Sequence, residues 1–71
     1  MEKIDIIKNR LKEALQRSKY TQTDLAGLVS ISQSCIAHYL KGDILPSLDT
    51  FSKLCEVLDE DANYILGIKE K

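Results

Sequence analysis

Cys35 and His38 stand three positions apart, about one helical turn, and by residue type they are a reactive pair. A thiol within reach of an imidazole is the arrangement of a nucleophile and its base. No orienting carboxylate follows at a useful spacing, Cys35 lies toward an apolar face, and 71 residues are too few to enclose a pocket. An enzyme is therefore the least favoured class. Cys35 and Cys55 with a single histidine supply too few ligands for a zinc site, so neither a metal nor a cofactor is expected. Both cysteines fall on apolar helical faces, which reads as free buried thiols in a reducing cytoplasm. A second kind of chemistry surrounds the same two residues. Gln33, Ser34, Ala37 and His38 recur at the spacing of one helical face and are short or hydrogen-bonding. A glutamine can bond adenine N6 and N7 together, and an alanine can meet a thymine methyl.

Such side chains need elements to position them, and helical spacing runs through the whole chain. Ile4, Ile7, Leu11, Ala14 and Leu15 form an apolar stripe on a first helix over about residues 3–18. A second helix, about 22–29, has Thr21 as its cap, Asp24 as the capping-box acid, and Tyr20 with Leu25 as a hydrophobic staple. Leu25, Ala26 and Val29 face inward. A third helix, about 33–41, takes Ser32 as cap and Ile31 with Ile36 as staple, and Gly42 stops it. Ile36, Tyr39 and Leu40 point inward. After the loop Asp43-Ile44-Leu45-Pro46, Ser47 caps a fourth helix, about 48–58, with Leu48, Phe51, Leu54, Cys55 and Leu58 inward. Asp61 caps a fifth, about 62–66, and Gly67 closes it. No strand alternation or repeat persists, so the fold class is all-α, a compact five-helix bundle.

The second and third helices are too short to be stable alone, because nucleation is costly and few bonds follow it. Only Ser30-Ile31-Ser32 joins them, and a join this short sets two helices at a steep angle. Ala26 is small where such helices approach, and Ile31 can plug the corner. The first turn of the third helix carries no acid, unlike the second with Asp24, so its amino end is left partly positive and suits an anion. Taken together, the outward residues of the third helix favour a major-groove reader.

Bulk numbers agree with a single small domain over 1–71, with 68–71 as a candidate linker start. Apolar residues make up 44% and charged residues 30%, the balance of a globular chain. A core this small leaves only about 3–5 kcal/mol of net stability, so a second copy or a bound partner can matter. The net charge of −1 is polarised: residues 1–41 carry seven basic and four acidic groups, residues 42–71 three basic and seven acidic. That fits a basic front and an acidic back, or simply solvated helix faces. Met1 leads straight into charged residues, and no apolar run approaches the ~18 residues of a membrane span.

Residues 20–67 closely resemble the helix-turn-helix domain of phage repressors and Cro, the XRE family. The likeness lies in T-Q-x-x-L-A at 21–26, I-S-Q-S at 31–34, Ile36, Gly42, P-S-L at 46–48 and I-L-G at 65–67. It implies a lambda-repressor-like bundle and a sequence-specific transcriptional regulator, a repressor by preference, that binds double-stranded DNA as a homodimer. By that resemblance Gln33, Ser34, Ala37 and His38 read bases. Gln22 bonds a phosphate and braces Gln33, while Thr21, Lys41, Gly42, Arg17 and Lys19 are further backbone contacts. The candidate dimer surface is the last helix and tail with Tyr64, Ile65 and Ile68, unless Ile65 is core and the other two cover it. The resemblance also admits an antitoxin or interaction module that holds a protein partner, with Leu28, Ile44 and Leu45 the features to watch. Two departures stand out. Relatives tend to place a left-handed glycine where Ser30 stands, so serine there costs roughly 1 kcal/mol. Many are basic where this chain has Asp43-Ile44-Leu45, which removes phosphate contacts.

Overall fold

The computed structural model describes residues 2–70; Met1 and Lys71, the last residue of the candidate linker start, lie outside them. Five helices follow one another: α1 (Lys3–Arg17), α2 (Gln22–Val29), α3 (Gln33–Lys41), α4 (Leu48–Leu58) and α5 (Ala62–Ile65). Each helix sends at least one wholly buried side chain to a shared centre: Leu11, Leu25 with Val29, Ile36, Leu54 and Ile65. α3 packs on both α1 and α2, α4 packs on α2, and α5 returns to α1. The nine residues of α3 are therefore held by two neighbours, which supplies what a helix of that length lacks alone.

Local signals set the helix starts. Thr21 accepts from the Asp24 amide at 3.0 Å, and the Asp24 carboxylate accepts from the Thr21 amide at 3.4 Å, completing the capping box. Ser32 caps α3 through the Cys35 amide, and Asp61 caps α5 through the Asn63 amide. Ser47 precedes α4 as expected but does not cap it with its side chain. Its hydroxyl donates to the Asp49 carboxylate at 2.7 Å instead. That bond also lowers the Asp49 pKa.

The helix ends share one device. Ser30, Gly42, Asp59 and Gly67 all take positive φ, the left-handed turn that stops a helix. Past each of them the next amide bonds back to the helix: Ile31 to Ala26 O, Asp43 to His38 O, Glu60 to Cys55 O and Ile68 to Asn63 O, between 2.9 and 3.1 Å. Two of the four are glycines; Ser30 and Asp59 adopt the geometry against the cost of a Cβ.

Two inward expectations fail at helix tips. Leu48 is 83% exposed and Ile4 is 48% exposed. Periodicity puts each on the apolar face, but the first turns of α4 and α1 extend past the core that the face covers. Leu48 instead borders a shallow groove of about 140 Å³ with Leu45, Pro46 and Phe51. Cys35 is half-buried rather than buried, while Cys55 is in the core.

Arg10 ties the end of the chain to α1. Its guanidinium donates to Tyr64 O at 2.6 Å, pairs with the Glu70 carboxylate at 3.0 Å and stacks over the Tyr64 ring at 4.2 Å. Lys69 Nζ meets the Asp61 carboxylate at 2.6 Å.

Ser30→Gly should stabilise the fold by about 1 kcal/mol, since glycine adopts the left-handed geometry without a Cβ. Thermal melts should then show a rise in Tm of roughly 4–8 °C. The Lys69 hydrogen bond lowers the Asp61 pKa, helped by the Asn63 amide. A depressed carboxyl contributes stability that is complete above its unfolded value and is lost as pH falls through its folded one. Asp61→Asn should therefore melt below the parent at neutral pH, with the gap closing below about pH 4.

Candidate nucleic-acid interface

α2 and α3 meet through a three-residue corner. Ser30 at φ 60°, ψ 45° turns the chain, and the Ile31 amide closes on Ala26 O at 3.0 Å. Ala26 is buried, and Ile31 is half-buried against the core. The corner buries Ile36 and Tyr39 on one side of α3 and turns Gln33, Ser34 and His38 to solvent on the other, with Ala37 half-buried between them. All four residues expected to read base edges thus share one side of a helix whose opposite side is core.

The amino end of α3 carries an alcohol network. Ser32 Oγ lies 3.0 Å from Ser34 Oγ and donates to Cys35 Sγ at 3.2 Å. No acidic side chain occupies this first turn, whereas His38 and Lys41 occupy the last. The Cys35 sulfur is engaged by Ser32 and His38 Nδ1 by Asp43 at 3.1 Å, so the thiol and imidazole have different partners. Among the described residues, no group of three or more His, Cys, Asp or Glu could hold a metal ion.

Gln33 has a partner that local sequence reasoning missed. Thr23 donates its hydroxyl to Gln33 Oε1 at 3.2 Å, across the corner from α2. Gln22, expected to brace Gln33, is exposed one position earlier; the bracing hydroxyl belongs to Thr23. A ten-residue separation gives no short-range signal, and only the crossing of α2 over α3 brings the pair together.

The expected backbone contacts divide. Thr21, Gln22, Lys19 and Lys41 are exposed, and Lys19 Nζ sits 5.6 Å over the Tyr20 ring. At Gly42 the amide is bonded within the helix end, to His38 O at 3.0 Å and Tyr39 O at 3.2 Å. Arg17 is exposed as well, and the Glu60 carboxylate takes its guanidinium at 3.0 Å. That hydrogen bond raises the Arg17 pKa further, and the pair offsets the positive charge locally. Of the expected dimer residues, Ile65 is wholly buried and belongs to the core, Tyr64 is half-buried under Arg10, and Ile68 is 67% exposed.

Two short helices joined at a left-handed corner, the second with a polar face turned outward, define a helix-turn-helix domain. The helix-turn-helix family model matches residues 11–65, and the chain belongs to that family. It is 34% identical over 61 residues to the HTH-type transcriptional regulator ImmR of Bacillus subtilis (strain 168), covering 86% of this chain and 48% of that protein. A second relative from the same organism, the uncharacterized HTH-type transcriptional regulator YgzD, is 29% identical over 65 residues, covering 92% of this chain and 98% of the relative. The chain thus spans about half the length of the first relative. No solved structure gives a significant match.

Thr23→Val should leave the fold intact, since Thr23 is exposed, and should release Gln33. Side-chain amide relaxation should show Gln33 more mobile in the variant. Equal mobility in both proteins would mean that Thr23 does not hold it.

Proposed function

We propose that this chain is the sequence-specific DNA-binding domain of a transcriptional repressor, working from the cytoplasm as a homodimer on a two-fold operator. α3 lies in the major groove. Gln33, Ser34, Ala37 and His38 meet base edges, while Thr21, Gln22, Lys19 and Lys41 meet phosphates. Phosphate contacts place the domain and base contacts choose the sequence. No chemistry of its own is assigned to the domain.

The observation that carries this reading is the division of α3 into two sides. Ile36 and Tyr39 are 0% and 5% exposed, yet Gln33, Ser34 and His38 one step around the helix are open to solvent. Thr23 and Asp43 touch that outer side at Gln33 and His38 and leave both side chains exposed. The relatives named as transcriptional regulators support the same function. With Arg17 and Gly42 engaged internally and Asp43, Ile44 and Leu45 in the loop, one copy has few phosphate partners. Two copies on half-sites about 34 Å apart make good that shortage.

Selection of bound duplexes from a random pool tests the reading and the half-site spacing together. A two-fold consensus is expected. Affinity should fall with salt by about 0.9 log units per phosphate neutralised, so Lys41→Ala should reduce the salt slope by about 1. Gln33→Ala should lose roughly 5- to 150-fold on the selected site, about 1–3 kcal/mol, and little on random DNA. Enrichment of no sequence, with binding that ignores salt, would overturn the proposal.

A second reading rests on one observation. Leu45 and Leu48 are exposed at the lip of the groove that follows α3, and Ile44 next to Leu45 in the chain is exposed too, apolar surface suited to a protein partner. Copurification of a second chain, lost on Leu45→Glu, would favour an interaction module.

A further inference from the structure

The left-handed turn at Gly42 does more than end α3. In this closure the residue after the turn is brought over the residue five positions earlier, and an apolar contact usually joins the two. Here those residues are Asp43 and His38. Two backbone bonds fix their register: the Asp43 amide to His38 O at 3.1 Å and the Gly42 amide to Tyr39 O at 3.2 Å. Where other helix ends place an aliphatic side chain, this one places a carboxylate 3.1 Å from His38 Nδ1. The contact is local and set by the backbone, so it does not depend on two long side chains finding each other in solvent.

A carboxylate can only accept, so the neutral imidazole must carry its proton on Nδ1 to make this bond. Nε2 is then a bare acceptor at the far edge of the ring. In water a neutral histidine favours the opposite tautomer, with the proton on Nε2. Half of the His38 side chain is exposed, and it stands on the outer side of α3.

We infer that Asp43 is a specificity-determining positioning residue: it holds His38 as the Nδ1–H tautomer, so that Nε2 accepts from an amino group on a base edge. This inference rests on the DNA-reading role of α3 proposed above. In the major groove the amino donors are cytosine N4 and adenine N6; guanine and thymine present acceptors at the corresponding places. With Asp43 present, His38 selects cytosine or adenine at the base it meets. Without it, Nε2–H becomes a donor and the preference moves to guanine N7 or O6, or to thymine O4. The loop that lacks the family's basic residues thus gives up a phosphate contact and gains control of a base contact.

Two measurements on the intact protein test this separately. The first needs no DNA. Long-range proton–nitrogen correlation spectra of the single histidine, recorded at about pH 8 where an ordinary imidazole is neutral, distinguish the tautomers. The parent protein should show Nδ1 protonated and Nε2 bare, and Asp43→Ala should show the reverse. Asp43 is exposed and its backbone bonds do not use the side chain, so the variant keeps the fold. A parent spectrum with the proton on Nε2 would overturn the inference, whatever the protein binds. The second measurement is duplex selection with the parent, Asp43→Ala and His38→Ala. One position of the consensus should move from cytosine or adenine to guanine or thymine in Asp43→Ala. That same position should lose preference in His38→Ala, with the others kept. An Asp43→Ala consensus identical to the parent's overturns the specificity role even if the tautomer is as stated. Failure of every protein to select DNA would count against the proposed function, and the spectra would still report on the His38–Asp43 pair.

Discussion

A helix of nine residues presents side chains in a fixed direction only if something else holds it. In this chain the holding is done by burial of Ile36 and Tyr39 between α1 and α2, and that burial depends on the corner at Ser30. The left-handed turn there does two things at once. It stops α2 through the bonds onto Ala26 O, and it redirects the chain so that Ser32 starts a new helix two residues on. A serine can take this conformation only against the clash of its Cβ with the backbone, a cost on the order of 1–2 kcal/mol in a domain with little stability to spare. The corner persists because the core on both sides of it over-determines the geometry.

The same economy shapes the rest of the surface. Several groups that look available for a partner are already engaged in holding the small fold together. Arg17 is drawn to Glu60, Arg10 gathers Tyr64 and Glu70, and the Gly42 amide closes α3. What is left uncommitted near the corner is the outer side of α3, flanked by Thr21, Gln22 and Lys41. Even there, three of the four outward residues have a partner in the chain, Ser34 through the Ser32 hydroxyl. Thr23 bonds Gln33 and Asp43 bonds His38, so these outward side chains are positioned from within the fold. Fixing side chains in advance lowers the ordering cost of binding.

Much of this was legible in the chain before folding was considered. The helix bounds follow from caps and apolar spacing: Thr21 with Asp24, Ser32 and Asp61 all bond as their positions in the sequence imply. The outward set at 33, 34, 37 and 38 follows from helical periodicity once Ile36 and Tyr39 are taken as core. Misreadings gathered at edges. Leu48 and Ile4 have the right period but lie past the end of what covers them, and Ser47 donates to a neighbouring carboxylate without accepting from the helix amide. Ile65, open between core and dimer surface in the sequence, is at the centre because α5 folds back onto α1.

The sequence by itself thus determined which segments are helical, where they begin, and which polar residues share a face, because caps and periodicity act over four or five residues. Tertiary structure alone decided which charges remain free, what braces Gln33, and how far the apolar cover extends. Those outcomes join residues as far apart as Thr23 and Gln33, Arg17 and Glu60, or Arg10 and Glu70. No local rule encodes such pairs. They exist only because burial of five short helices around one centre brings distant surfaces to within a hydrogen bond of each other.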